Sequence, residues 1–219
     1  MQPKQAITSE VQIPVSSAIL DGDLIVPAEA AGIVLFAHGS GSSRHSPRNK
    51  FVAQTIRNAG VGTLLFDLLT REEEAIDIHT RHLRFDITML AERLAAAAEW
   101  VLGRKETGNL RVGFFGASTG GGAALIAAAK MGIEAGAVVS RGGRPDLAGD
   151  ALPRVTAPTL LIVGELDDVV IQLNREAFDQ LNCEKKMEIV RGASHLFEEP
   201  GTLEEVARLA TAWFVGHLS

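Results

Sequence analysis

The run Leu110-Arg-Val-Gly-Phe-Phe-Gly116-Ala-Ser118-Thr-Gly120 constrains this chain more than any other stretch. A short apolar strand ends in Gly-x-Ser-x-Gly and continues straight into an alanine-rich helix, the pattern of a nucleophile elbow. A serine hydroxyl attacks poorly until a base takes its proton, so the chain must present it on a sharp turn that a distant His can reach. Gly116 and Gly120 let backbone segments crowd that turn. Ser118 is therefore the candidate nucleophile.

Strands and helices alternate almost to the end, which predicts an α/β fold with a mainly parallel sheet covered by helices on both faces. Residues 32–37 and 62–66 are continuous apolar runs suited to strands buried on both sides. Residues 11–15 and 18–26 read as opening, antiparallel edge strands, with Asp21-Gly22 as a hairpin turn signal. Ile87, Leu90, Leu94, Ala97 and Val101 recur at steps of three and four and predict a helix over 85–103. A second helix is expected over 118–131, apolar on nearly all sides. Strands over 135–139 and 159–163, a helix carrying Val170 to Leu181 and a last strand over 186–190 follow. Thr202-Leu-Glu-Glu205 reads as a capping box opening a helix to about 217.

At 219 residues, 46% hydrophobic and 22% charged, the chain reads as one compact domain spanning 1–219. A net charge of −6 supplies no basic patch for nucleic acid. Its apolar stretches fall short of the ~20 residues of a membrane span, and residues 1–10 hold no signal-peptide core. The lone Cys183 reads as an inert thiol, so a cytoplasmic location is expected. His79 and His82 lack a third ligand, which predicts no metal, and no organic cofactor is expected. Gly120-Gly-Gly122 lacks the spacing of a nucleotide fingerprint and reads as close helix packing.

The serine's partners are expected where later strands end, since active groups of open α/β sheets gather at the strands' carboxyl ends. Gly164-Glu-Leu-Asp167-Asp168 follows one strand and Arg191-Gly-Ala-Ser-His195 the next. His195 is the expected general base and Asp167 the chosen orienting acid, with Asp168 and Glu165 as competitors. The Thr119 amide is the first expected oxyanion donor. The second is placed at Ser40, in the loop His38-Gly39-Ser40-Gly41, with the His38 ring holding that loop.

Those four segments resemble α/β hydrolases of the dienelactone-hydrolase-like group over nearly the whole chain. The resemblance implies an eight-stranded sheet with an antiparallel second strand, and a Ser118, Asp167, His195 triad, the family's Gly-x-x-Asp favouring Asp167. True dienelactone hydrolases place a cysteine where this chain has Ser118, which favours cleavage of small soluble carboxylic esters or lactones in general. A non-catalytic binding protein, an acyltransferase or a peptidase are the alternatives.

About twenty residues separate the strand ending near Val139 from the one starting at Thr159, too few for a helical cap domain, so an open site is expected. Arg44, Arg48 and Arg141 border it. Most such arginines are solvated loop charges, and the sharper reading gives one of them an anionic substrate group.

Overall fold

The computed structural model describes residues 6–16 and 18–219. The first five residues, half of the segment read above for a signal peptide, lie outside the described residues. The sheet has eight strands in the order β1-β2-β4-β3-β5-β6-β7-β8. They are β1 (Ile7–Val15), β2 (Ala18–Val26), β3 (Gly32–Ala37), β4 (Gly62–Phe66), β5 (Arg111–Ala117), β6 (Ala135–Arg141), β7 (Thr159–Gly164) and β8 (Lys185–Val190). β2 runs antiparallel to both its neighbours and the remaining pairs are parallel. Six helices accompany them: α1 (Pro47–Asn58), α2 (Arg71–Thr80), α3 (Ile87–Leu102), α4 (Thr119–Met131), α5 (Asp168–Gln180) and α6 (Thr202–Leu218).

Burial explains the arrangement. Every residue of β3, β4, β6 and β7 is buried, as strands covered on both faces must be. One face packs against α3, α4 and α5 through Leu94, Leu125 and Ala177, the other against α1 and α6 through Ile56 and Phe214. No helix among the described residues is long and apolar enough to cross a membrane.

Three local expectations are corrected. Asp21-Gly22 is not a turn: Gly22 lies inside β2 opposite Val11 and Phe66, and the chain reverses between Val15 and Ala18. A Cβ on Gly22 would stand 3.0 Å from the Phe66 Cβ, so this glycine serves packing across strands. The capping box at Thr202 does not form either. Gly201 is the N-cap, and the Thr202 hydroxyl donates to the Glu199 carbonyl at 2.7 Å. A capping box does open α2, where Thr70 and Glu73 satisfy each other's amides at 3.2 and 2.9 Å. Finally, α3 starts at Ile87 with Asp86 accepting from the Met89 amide, because a separate 3₁₀ turn occupies Leu83–Phe85.

β3 is flanked by β4 on one side and β5 on the other, so the chain's winding reverses between β3 and β5. A crevice opens at the carboxyl ends of strands at such a reversal. Ala37 pairs with Gly116 and Ala117 with Arg141 across this edge. The loops after β3, β5 and β6 therefore leave the sheet side by side.

Candidate active site

Ser118 sits between β5 and α4 at φ 52°, ψ −124°, a backbone conformation that costs a side-chain-bearing residue about 1–3 kcal/mol. Neighbours hold it there. Its amide donates to the Arg141 carbonyl at 3.2 Å, and its own carbonyl accepts from Gly121 at 2.9 Å and Arg144 at 3.0 Å. The flanking glycines are steric necessities, since a Cβ on Gly116 would meet the Gly120 carbonyl oxygen at 2.3 Å and one on Gly120 the Ala37 oxygen at 2.2 Å.

The imidazole comes from the loop after β8. His195 Nδ1 donates to Asp167 Oδ2 at 2.6 Å, which leaves Nε2 as the free ring nitrogen. The three carboxylates after β7 have separate fates. Asp167 pairs with His195, Glu165 accepts from the Gly192 amide at 2.7 Å, and Asp168 opens α5 on the exposed surface. The β7 loop is pinned to the histidine loop by the Leu166 amide donating to the Ala193 carbonyl at 2.9 Å. Ser118 Oγ makes no hydrogen bond to the imidazole among the described residues, a separation common before substrate draws such groups together.

On the other side stands the loop after β3. The Ser40 amide, expected to point at substrate, instead donates to Thr119 Oγ1 at 3.0 Å, and the two hydroxyls meet at 2.9 Å. The reason is local: Thr119 is buried and its hydroxyl needs a partner. The Thr119 amide, first in α4, has no acceptor within its helix. His38 holds the loop in a defined tautomer. The Leu68 amide donates to Nε2 at 3.1 Å, so Nδ1 carries the proton and donates to the Gly39 carbonyl at 3.0 Å. Burial pushes the His38 ring below its ordinary pKa, against the smaller opposing effects of that hydrogen bond and of Asp67 and Glu74. The Leu68 carbonyl accepts from Arg93 at 2.8 Å, and Arg93 also grips Glu73 at 2.6 Å, holding that carboxyl below the usual carboxylate range.

The three arginines differ. Arg44 donates to Asp67 and lies 3.8 Å from Asp23. Arg48 reaches Glu198 at 3.0 Å on the surface. Arg141 is only 7% exposed, pairs with no carboxylate among the described residues and meets Asn49 Oδ1 at 3.3 Å, while its Nε has no partner. Its guanidinium lies 5.8 Å from the Phe197 ring. Burial, with Arg48 adding like charge, pushes its pKa down to about 10. Stripping water from an ion costs several kcal/mol, more than one neutral hydrogen bond and a distant ring return. His79 and His82 are exposed and belong to no cluster.

The profile of the dienelactone hydrolase family matches residues 20–214. The chain belongs to the dienelactone hydrolase family. A dienelactone hydrolase from Anabaena variabilis ATCC 29413 is 57% identical, with a TM-score of 0.96 over 98% of this chain and 100% of that one. A Mycobacterium tuberculosis protein with the provisional name phosphoribosyl transferase is 55% identical over 95% of this chain. The chain spans 46% of that protein's length. The promiscuous phosphotriesterase P91, dienelactone hydrolase-like and drawn from metagenomic libraries, shares the fold at 16% identity and TM-score 0.78, over 98% of this chain and 99% of that one. The chain thus has a dienelactone hydrolase-like hydrolase fold.

Proposed function

We propose that this family member is a serine hydrolase that cleaves carboxylic esters or lactones of small soluble substrates through an acyl-enzyme. The observation that carries the reading is a strained serine on an elbow at the sheet edge that also presents a histidine already bound to an aspartate. In this reading Ser118 Oγ attacks the carbonyl carbon while His195 Nε2 takes its proton, and Asp167 steadies the imidazolium through Nδ1–H. The oxyanion is held by the Thr119 amide and by the His38–Gly41 loop, where substrate releases the Ser40 amide from Thr119 Oγ1. The proton then passes to the departing alkoxide, and water splits the acyl-enzyme by the same route reversed. Only a short 3₁₀ segment (Pro145–Arg154) stands in the crossover from β6 to β7, so the site is open, which suits small esters better than long-chain lipids. The transferase name of the M. tuberculosis relative is not carried over, because this chain matches less than half of that protein.

Incubation with a fluorophosphonate probe tests the reading, with the adduct located by mass spectrometry. Stoichiometric labelling at Ser118, abolished by Ser118→Ala and His195→Ala, is expected. Folded wild-type protein that takes no label overturns it in favour of a non-catalytic binding protein.

A further inference from the structure

The end of β6 and the turn after it, residues 141–144, touch the elements that carry all three residues of the proposed triad. The Arg141 carbonyl accepts from the Ser118 amide at 3.2 Å, and the Arg144 amide donates to the Ser118 carbonyl at 3.0 Å. Between these two grips the Gly142 amide donates to the Ile162 carbonyl of β7 at 2.7 Å. The Gly143 carbonyl accepts from the fully buried Asn174 of α5 at 2.9 Å. Asp167 lies between those two elements, after β7 and at the start of α5.

Gly142 is where this turn reaches the imidazole. It is buried at φ 49°, and a Cβ there would stand 3.1 Å from the His195 carbonyl oxygen, 3.3 Å from Phe197 Cε2 and 3.7 Å from His195 Cε1. Cε1 joins the two ring nitrogens, so a push on that edge moves both. The ring has little else to resist it, being 39% exposed and hydrogen-bonded to Asp167 alone among the described residues. The backbone behind it is held more firmly. Phe197 is buried in the core at φ 55°, and a Cβ on Gly164 would meet the Ala193 carbonyl oxygen at 2.4 Å. The histidine loop is thus seated on bare backbone at Gly142 and Gly164, with Phe197 as its anchor.

We infer that Gly142 is a positioning residue, whose missing side chain sets where the His195 imidazole stands relative to Ser118. The inference rests on the hydrolase reading for the importance of that placement. The turn grips the Ser118 backbone on either side of Gly142 and seats the imidazole between the grips, so nucleophile and base are gauged from one short segment. A methyl group at Gly142 must displace the histidine loop, since 3.1 Å is tighter than an ordinary contact of a side-chain carbon. Misplacement by about 1 Å costs about 10²-fold in rate, so the smaller shift expected here should cost about tenfold.

The test compares Gly142→Ala with Gly149→Ala. Gly149 has the same left-handed backbone at φ 46°, yet a Cβ there meets nothing within 4 Å. Both variants carry the conformational cost of a side chain at positive φ, and only the first presses on His195. Labelling of Ser118 is followed as a function of fluorophosphonate concentration. In Gly142→Ala the limiting rate should fall about tenfold with the half-saturating concentration unchanged, and in Gly149→Ala both should stay within about twofold of wild type. Crystal structures of the two variants give a readout that needs no activity: the His195 ring is displaced in the first and stays in place in the second. Phe197→Leu keeps the test alive if Gly142→Ala folds poorly. It loosens the anchor of the histidine loop and should lower the limiting rate about threefold, whereas Phe214→Leu, in the same core but on α6, should leave it unchanged.

Equal losses in Gly142→Ala and Gly149→Ala, a loss carried by probe affinity alone, or an unmoved His195 ring each overturn the assignment, as do equal losses in Phe197→Leu and Phe214→Leu. Labelled wild type with Gly142→Ala indistinguishable from it removes the gauge and keeps the hydrolase. Unlabelled wild type with a displaced ring in Gly142→Ala removes the hydrolase and keeps the seat.

Discussion

On the β4 side of Ser118 three arginines meet acids: Arg44 meets Asp67, Arg84 meets Asp77 at 2.5 Å and Arg93 meets Glu73 at 2.6 Å. On the β6 side Arg144 is paired with Asp146 at 2.7 Å, whereas the buried Arg141 meets no acid among the described residues. The first flank is internally balanced and holds the loop after β3 through Leu68 and His38. The second carries a desolvated charge offset only by the Asn49 side chain and the Phe197 ring. Paired charge repays the cost of burial, whereas a buried guanidinium without an acid repays little of it.

Both flanks serve one hydroxyl, so the largest effect is expected at Ser118, where alanine should lower ester hydrolysis about 10⁴-fold or more in steady-state assays. The flanks then separate by sign. Arg93→Met strands Glu73 and the Leu68 carbonyl and should cost about 3 kcal/mol in urea unfolding. Arg141→Met removes an unpaired buried ion and should raise stability by about 1–2 kcal/mol. A loss of similar size in both would break the comparison and make Arg141 scaffold.

The pH dependence sharpens the first flank. The folded state holds His38 neutral with its pKa below 6.5, so the unfolded chain binds the extra proton first. Stability from this group is complete above pH 6.5 and drains as pH falls from there toward the folded pKa, by at most about 1.4 kcal/mol per pH unit. His38→Gln should flatten that part of the curve in thermal melts taken across it. The smallest effects compare two helix starts. Thr70→Ala removes a formed cap and should cost about 1 kcal/mol. Glu205→Gln touches only an exposed pair with Arg208 and should change stability by less than about 0.5 kcal/mol in the same unfolding assay.

The comparison of those starts shows what was legible in the sequence. Thr202-x-x-Glu205 has the letters of a capping box, but Gly201 at φ 83° already turns the chain, which moves Thr202 into the helix. Helices α1 and α2 leave little trace in the sequence because their apolar faces are narrow. α2 buries only Asp77, and its anchors are ion pairs to Arg84 and Arg93, partners that periodicity does not reveal. The elbow, the buried strands and the residues at strand ends were readable because each rests on a local rule: a glycine where backbone crowds, an unbroken apolar run, a polar residue after it. The Ser40 amide rests on no such rule. Its direction is set by a hydroxyl 79 positions away, and Arg141 looked like a loop charge because burial is a property of the fold.

The short crossover between β6 and β7 reaches beyond substrate size. In the proposed reaction an acyl group on Ser118 would have no cap domain over it, and the fluid around the molecule would compete directly for it. Any other acceptor would have to win by being held in place against water, so the proposed acyl-enzyme would be biased toward hydrolysis. On such a surface, selectivity is exercised at admission, by what first comes to rest beside the elbow.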